Sequence, residues 1–170
     1  MKVLVTAASR HGSTADIAAA IVRVLHLRGL DADLVEPAEV EDLSEYDAVL
    51  LGSAVYAGRW MGSATDLVAR CGPELASLPV WLFSSGPVGM PPNPADGPAV
   101  SKLMEQTGAL GHRVFGGKLD KAELGRLERT LIRAVRAPEG DYRDWDDISE
   151  WAARIADGLL AMQRFADKAP

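Results

Sequence analysis

The stretch that follows the first apolar run carries the residues whose chemistry is easiest to interpret. It reads Ser9-Arg10-His11-Gly12-Ser13-Thr14, with three hydroxyls, one glycine and no carboxylate before Asp16. Where a loop enters a helix, unpaired backbone N–H groups and the positive end of the helix dipole attract anions. Hydroxyls add donors, and a glycine lets the backbone approach the anion closely. The loop therefore predicts a phosphate site.

Two other phosphate loops are excluded by their missing patterns. The chain has no Gly-x-x-x-x-Gly-Lys-Ser/Thr motif of a P-loop and no Gly-x-Gly-x-x-Gly dinucleotide motif. Alone, Ser9-x-x-Gly12-x-Thr14 also suits a plain helix cap. Its position between the first predicted strand and the first predicted helix favours the phosphate interpretation.

The elements that must position this loop alternate between apolar strands and amphipathic helices. Strands are predicted at 2–7, 31–35, 48–52, 80–83 and 113–116, and helices at 60–75 and 99–110, with one before the second strand and two closing the chain. This alternation predicts an α/β fold with a doubly wound parallel sheet and helices on both faces. No repeat or linker interrupts it, so we expect a single domain over 1–170.

Composition limits the function classes. The 170 residues carry a formal charge of −6, which disfavours nucleic-acid binding. Cys71 is the single cysteine, so we expect neither a disulfide within the chain nor a cysteine-based metal site. We expect Cys71 to be a buried structural residue. No metal-ligand set or Ser/His/Asp triad is evident, and His26 and His112 are interpreted as structural or surface residues. Without a signal-peptide pattern or a membrane-length apolar run, we expect a cytoplasmic protein.

Three motifs resemble the flavodoxin family, whose phosphate loop reads Ser/Thr-x-Thr-Gly-x-Thr. The resemblance is closer to the branch of menaquinone-dependent protoporphyrinogen oxidases, with Ser/Thr-Arg-x-Gly-x-Thr. The run Gly52-Ser53-Ala54-Val55-Tyr56-Ala57-Gly58 is similar to that branch's Gly-Ala-Ser-Ile-x-Tyr-Gly, and Asp144-Trp145-Asp146 matches its acidic-Trp signature. The resemblance extends over nearly the whole chain.

The resemblance implies a flavodoxin-like three-layer sandwich with a five-stranded parallel sheet in the order 2-1-3-4-5, and FMN as cofactor. The FMN phosphate would be held by Ser9, Arg10, His11, Gly12, Ser13 and Thr14. The isoalloxazine ring would lie between two further loops, formed by Ala54, Val55, Tyr56, Ala57 and Gly58 and by Ser84, Ser85, Gly86, Pro87, Val88 and Gly89. We expect Tyr56 to stack on the ring, with Trp60 as the second candidate.

The charges of the two ring loops indicate the redox chemistry. Residues 54–62 and 84–95 contain no Asp or Glu, and Arg59 lies in the first of these ranges. Electron-carrying flavodoxins surround the flavin with carboxylates, which disfavour its anionic reduced form. A cation favours that form, so we expect two-electron chemistry.

A basic amphipathic helix is predicted after the fifth strand, within an extra segment at 118–145 that ends in an acidic connection. Residues 118–136 carry six basic and three acidic side chains, and Arg126, Arg129, Arg133 and Arg136 recur at helical spacing. The stripe suits either a solvated face or a surface for anionic partners. Those partners would be a porphyrin with carboxylates, or an anionic membrane contacted peripherally through 121–136.

Three functions remain open from the sequence. The first is an FMN-dependent oxidoreductase that exchanges electron pairs with a quinone and takes a porphyrin or another small molecule as substrate. The second is an electron-carrier flavodoxin that serves a redox partner protein. The third is a flavodoxin-like protein that binds the deazaflavin F420 or acts as a binding module. The flavin would carry the hydride chemistry, so no catalytic side chain is required.

Overall fold

The architecture is an α/β sandwich, described by a computed structural model for residues 1–56, 58–86, 98–120 and 139–166. In chain order the elements are β1 (Lys2–Ala8), α1 (Ser13–Leu27), β2 (Asp31–Leu34), β3 (Ala48–Tyr56), β4 (Arg59–Trp60), α2 (Gly62–Ser77), β5 (Val80–Ser85), α3 (Pro98–Thr107), β6 (Gly111–Phe115), β7 (Lys118–Leu119), β8 (Gly140–Asp141) and α4 (Trp145–Ala166).

Five parallel strands form the central sheet in the order β2-β1-β3-β5-β6. This confirms the predicted doubly wound α/β fold and its strand order, with β4 and the β7–β8 pair as additions. The pairing of β1 with β3 runs from Val3↔Ala48 to Ala8↔Ser53. The chain reverses its direction of winding between these two strands, and ligands of such sheets bind at the carboxyl ends of the strands there.

Each face of the sheet buries a separate apolar core, because side chains alternate along every strand. Val3 and Val5 face the core under α1 and α4, whereas Leu4 faces the core under α2 and α3. The first core contains an aromatic trio, Phe83, Phe115 and Trp151, with ring centroids 5.5 to 6.2 Å apart. We call these the α1–α4 core and the α2–α3 core.

Glycine at position 52 makes the aromatic trio possible. A Cβ atom at Gly52 would lie 2.1 Å from the ring of Phe83, and the ring itself is fully buried. The ring therefore occupies the space that any other residue at position 52 would need. This glycine belongs to the motif that suggested a flavin loop, yet its own role here is in packing.

The predicted helix at 60–75 was wrong at its start. The helix begins at Gly62, and Trp60 belongs to β4, because the chain first turns back in a hairpin on β3. The helix is kinked at Cys71, whose φ of −113° and ψ of 21° are not helical, two residues before Pro73. The thiol is buried, as expected, and burial raises the pKa of Cys71.

Two strands continue at least two residues beyond their predicted carboxyl ends, while β1 ends one residue later and β6 begins two residues earlier than predicted. The third strand continues beyond Gly52 to Tyr56, because β4 supplies it with an antiparallel partner. The strand predicted at 80–83 continues to Ser85, because it pairs with both β3 and β6. At 118–119 the chain forms β7 rather than helix, whereas the basic stripe at 121–136 lies outside the described residues.

None of the described helices combines the length and the apolar character that crossing a bilayer requires.

Candidate functional site

The first loop joins the end of β1 to the start of α1. Gly12 occupies the N-cap position with a φ of 78°, a conformation that favours glycine, and no side chain in the described part of the chain caps the helix there. The first helical hydrogen bond, from the Asp16 N–H to the Gly12 carbonyl, is 2.9 Å long. Among the described residues, no atom lies within 4 Å of an added Cβ at Gly12. The helix start therefore has an uncapped end with open space beside it.

The hydroxyls of this loop lie in different surroundings. Thr14 is 1% exposed, while Ser9 and Ser13 are half-buried. The Ser13 hydroxyl oxygen accepts a hydrogen bond from the backbone N–H of Lys118 at 3.0 Å and keeps its own proton for a further acceptor. Ser9 to Thr14 thus all lie at the carboxyl end of β1, as predicted, and β7 is tied to the same helix turn.

The second loop is a β-hairpin. Val55 pairs with Trp60 and Tyr56 pairs with Arg59 across a turn that contains Gly58 at a φ of 73°. Directly opposed residues share a face of a hairpin. Trp60 is 7% exposed and packs in the α2–α3 core, whereas Tyr56 is 43% exposed on the other face. Of the two aromatic candidates, Tyr56 is the accessible one. Ala57 lies outside the described residues.

A buried polar network fixes this hairpin to the neighbouring strands. The Trp60 indole N–H donates to the Ser84 hydroxyl at 2.8 Å, and that hydroxyl is 2.8 Å from Nε2 of His112 on β6. The hydroxyl can accept from the indole and donate to the imidazole at once. His112 belongs to this network, and no local pattern in the sequence indicates its partner.

A second serine holds the exit of the hairpin. The Ser53 hydroxyl accepts the backbone N–H of Met61 at 2.9 Å and donates to the carbonyl of Ala54 at 2.8 Å. Ser53 is fully buried, so both capacities of its hydroxyl are used inside the protein. The start of α2 is therefore held against β3.

The third loop leaves the sheet at the end of β5. The Gly86 N–H donates to the Phe115 carbonyl at 3.1 Å, and Gly86 has a φ of 98°. A Cβ on Gly117 would lie 3.4 Å from the Gly86 backbone, so the chain after β6 runs directly beside this loop. Ser84 and Ser85 are buried strand residues, not loop residues as predicted. Pro87, Val88 and Gly89 lie outside the described residues.

A charged cluster, which we call the Arg143 cluster, adjoins the first turn of α1. The Arg143 side chain is 7% exposed and donates to Asp141 through two nitrogens, at 2.8 and 2.6 Å. A third bond, 2.8 Å long, reaches Asp16, and the guanidinium lies 4.5 Å from the centroid of the Trp145 ring.

The Asp141 carboxylate in this cluster is held ionised by the guanidinium. Hydrogen bonds from Arg143 lower the pKa of Asp141, and the same bonds raise the pKa of Arg143. Sequence reasoning missed Arg143, although it stands directly before the Asp144-Trp145-Asp146 motif. The signal was weak because its partner Asp16 is 127 positions away.

The chemistry of the assembled edge follows from its residues. It offers an uncapped helix start with hydroxyls for an anion, and an exposed tyrosine beside an arginine for a flat ring. Within the described ranges, no three His, Cys, Asp or Glu side chains come together as metal ligands.

A doubly wound parallel sheet of this order, with helices on both faces, is the flavodoxin fold. The family model of the flavodoxin domain matches residues 4–146, and the chain belongs to that family. This confirms the resemblance drawn from the motifs.

Individual relatives agree with this assignment. The chain is 23% identical over 172 residues to the protoporphyrinogen IX dehydrogenase [quinone] of Escherichia coli K12, covering 92% of this chain and 95% of that protein. A flavodoxin from the domain Archaea has a TM-score of 0.62 at 15% identity, covering 94% and 99% of the two chains. The flavodoxin of Streptococcus pneumoniae has a TM-score of 0.60 at 19% identity, covering 95% and 99%.

Proposed function

We propose that this protein binds FMN at the carboxyl edge of its sheet and exchanges electrons in pairs, with a quinone as the electron acceptor. One observation carries the redox part. No carboxylate occurs in residues 54–62 or 84–95, and Arg59 is the cross-strand partner of the exposed Tyr56. The proposed ring site therefore has a cation, where an electron-carrying flavodoxin has carboxylates.

The first loop suits the FMN phosphate. Gly12 leaves open space beside an uncapped helix start, and the Ser13 hydroxyl retains a proton that a phosphate oxygen can accept. Thr14 and Ser9 supply further hydroxyls on the same turn. These residues would bind the phosphate and fix the position of the whole cofactor.

The hairpin suits the ring. Tyr56 and Arg59 lie on one face of the hairpin, and Val55 and Trp60 on the other, so a ring stacked on Tyr56 would have the Arg59 guanidinium nearby. FMN would supply reversible two-electron chemistry at its ring. Arg59 would favour the anionic reduced form, and the network of Trp60, Ser84 and His112 would hold the hairpin in place.

The proposal of a quinone acceptor and a porphyrinogen substrate rests on the relative. The Escherichia coli protein is a protoporphyrinogen IX dehydrogenase that uses a quinone, and it aligns over 92% of this chain. The basic stripe at 121–136 has the charge that porphyrin carboxylates or an anionic membrane would attract. A protein redox partner remains the alternative, because the structural neighbours include carrier flavodoxins.

Cofactor binding is tested first. The apoprotein is titrated with FMN and, separately, with F420, and the quenching of ligand fluorescence gives each dissociation constant. We expect FMN to bind at least about tenfold more tightly, because Tyr56 and the first loop suit it. Tighter binding of F420 would contradict the cofactor assignment.

The redox character is tested with Arg59. In a spectroelectrochemical titration of the FMN-loaded protein, we expect the second electron to enter at a potential close to or above that of the first. Arg59→Glu is expected to lower the second-electron potential by on the order of 50 mV, because it reverses a charge beside the ring. Arg28→Gln, at the far end of α1, is the control and leaves the potential unchanged.

Two results would contradict the two-electron proposal. One is a wild-type second-electron potential far below the first, as carboxylates around the ring would produce. The other is a potential that Arg59→Glu does not move. The electron acceptor is tested by mixing reduced protein with menadione under anaerobic conditions. Rapid oxidation of the protein supports a quinone as the acceptor. If only a protein partner oxidises the reduced protein, the result supports an electron-carrier function.

A further inference from the structure

The Arg143 cluster raises an electrostatic question about the first loop. Asp16 lies in the first turn of α1, the turn whose backbone N–H groups would hold a phosphate. A carboxylate there would repel a phosphate that carries up to two negative charges. Besides Arg143, basic residues of this region include Arg10, which belongs to the loop itself, and Lys118, whose backbone N–H bonds Ser13 and whose side chain pairs with Asp120.

We propose that Arg143 is the positioning residue that makes the first loop competent for phosphate, by neutralising Asp16 from outside the loop. This proposal rests on the proposed function, since it concerns the phosphate of the same cofactor. Arg143 bonds Asp16 from a segment 127 positions away, whereas Arg10 belongs to the loop itself. Removing Arg143 would take this guanidinium away from the Asp16 carboxylate.

The geometry makes this neutralisation persistent. The guanidinium is held by two bonds to Asp141 and stacks on Trp145, so little of its side chain reaches solvent. The Arg143 side chain is 7% exposed and the Asp16 side chain 63%, so water and salt screen the carboxylate end of the pair and reach the guanidinium much less. Arg143 therefore presents its third bond to Asp16 from a fixed position.

Arg143 could act through its charge, or only through the hydrogen bond that ties it to Asp16. The two roles predict different results for a pair of variants. Arg143→Gln removes the positive charge and weakens the hydrogen bond to Asp16, and Asp16→Asn removes the repulsive carboxylate and leaves at most a hydrogen bond to a neutral amide oxygen. If neutralisation is the role, Arg143→Gln weakens phosphate binding, Asp16→Asn does not, and the double variant recovers. If the tie alone holds the loop, both single variants weaken binding alike.

The measurement compares FMN with riboflavin, which lacks the phosphate. Fluorescence titrations of the apoproteins are expected to show FMN affinity about tenfold lower in Arg143→Gln, from one uncompensated charge near the phosphate. Riboflavin affinity is expected to stay within about twofold, and the double variant to return within about twofold of wild type for FMN. Arg28→Gln is the control, since it breaks the ion pair between Arg28, which follows α1, and Asp157 of α4, and we expect it to leave both affinities unchanged.

Inorganic phosphate alone gives a second readout. We expect it to raise the unfolding temperature of the wild-type apoprotein and of Asp16→Asn, but not that of Arg143→Gln. Should Arg143→Gln fail to fold, Arg143→Lys keeps the charge without the two-point pairing, and its FMN affinity is expected within about threefold of wild type.

Several results would overturn the proposal. These are equal losses of FMN and riboflavin affinity in Arg143→Gln, a loss in Asp16→Asn equal to that in Arg143→Gln, no change in any variant, or a tenfold loss in Arg143→Lys. A wild-type protein that binds inorganic phosphate with this charge dependence but does not bind FMN would instead refute the proposed function and leave the role of Arg143 standing.

Discussion

The two faces of the sheet support the candidate site by different means. Under α1 and α4, the end of β5 rests on rings, with Phe83 packed against Phe115 and Trp151. Under α2 and α3, the same strand end is held by the Ser84 hydroxyl, which accepts a hydrogen bond from the Trp60 indole N–H and also bonds His112. Packing fills space without direction, whereas hydrogen bonds fix orientation. The hairpin that would orient a ring lies on the face with the directional contacts.

The largest expected effect tests the packed face. Gly52→Ala would place a Cβ within 2.6 Å of three atoms of the buried Phe83 ring. Because the ring has no space to move into, we expect a loss of about 3 kcal/mol in the free energy of unfolding, measured by urea denaturation. Gly158→Ala on α4, where an added Cβ meets no atom within 4 Å, is the control. Equal stability of both variants would show that the aromatic trio is not tightly packed.

A smaller effect is expected on the hydrogen-bonded face. Trp60→Phe removes the indole N–H that donates to Ser84 and should lower the free energy of unfolding by about 1–2 kcal/mol. The matched control is Trp81→Phe, a half-buried indole that packs against the α1–α4 core. If both tryptophan variants lose the same stability, the bond to Ser84 contributes nothing beyond packing.

The smallest expected effect concerns a hydroxyl that does not join the network. Thr6 is fully buried on β1, and among the described residues its hydroxyl has no hydrogen-bond partner. Thr6→Val keeps the shape and removes the unsatisfied group, so we expect a gain of up to about 1 kcal/mol in the free energy of unfolding. Thr6→Ser keeps the hydroxyl and should be destabilising. A destabilised Thr6→Val variant would reveal a partner for the hydroxyl.

The sequence predicted the parts of the fold that repeat locally. Apolar runs such as Ala48 to Gly52 identify buried parallel strands, and the order of strands and helices then restricts the topology. The first loop was located because hydroxyls and a glycine stand next to each other between a strand and a helix. In each case the signal lies within a few residues.

The parts that were missed depend on contacts between distant residues. Trp60 looks like the first residue of a helix until β4 pairs with β3, a pairing that the helical periodicity after Gly62 conceals. The bond between Arg143 and Asp16 joins positions 127 apart, and no periodicity marks either residue. The roles of Ser9 to Thr14, of Tyr56 and of the third loop toward FMN stay predictions that the binding experiments test.

The short β7–β8 ladder has a consequence for how this chain could change. Lys118 pairs with Asp141 and Leu119 with Gly140, so β7 and β8 hold the two ends of the intervening segment next to each other. Lengthening a segment closed in this way costs only about 0.6 kcal/mol for each doubling of its length. The ladder thus sets where the chain leaves and re-enters the described fold, beside the first turn of α1.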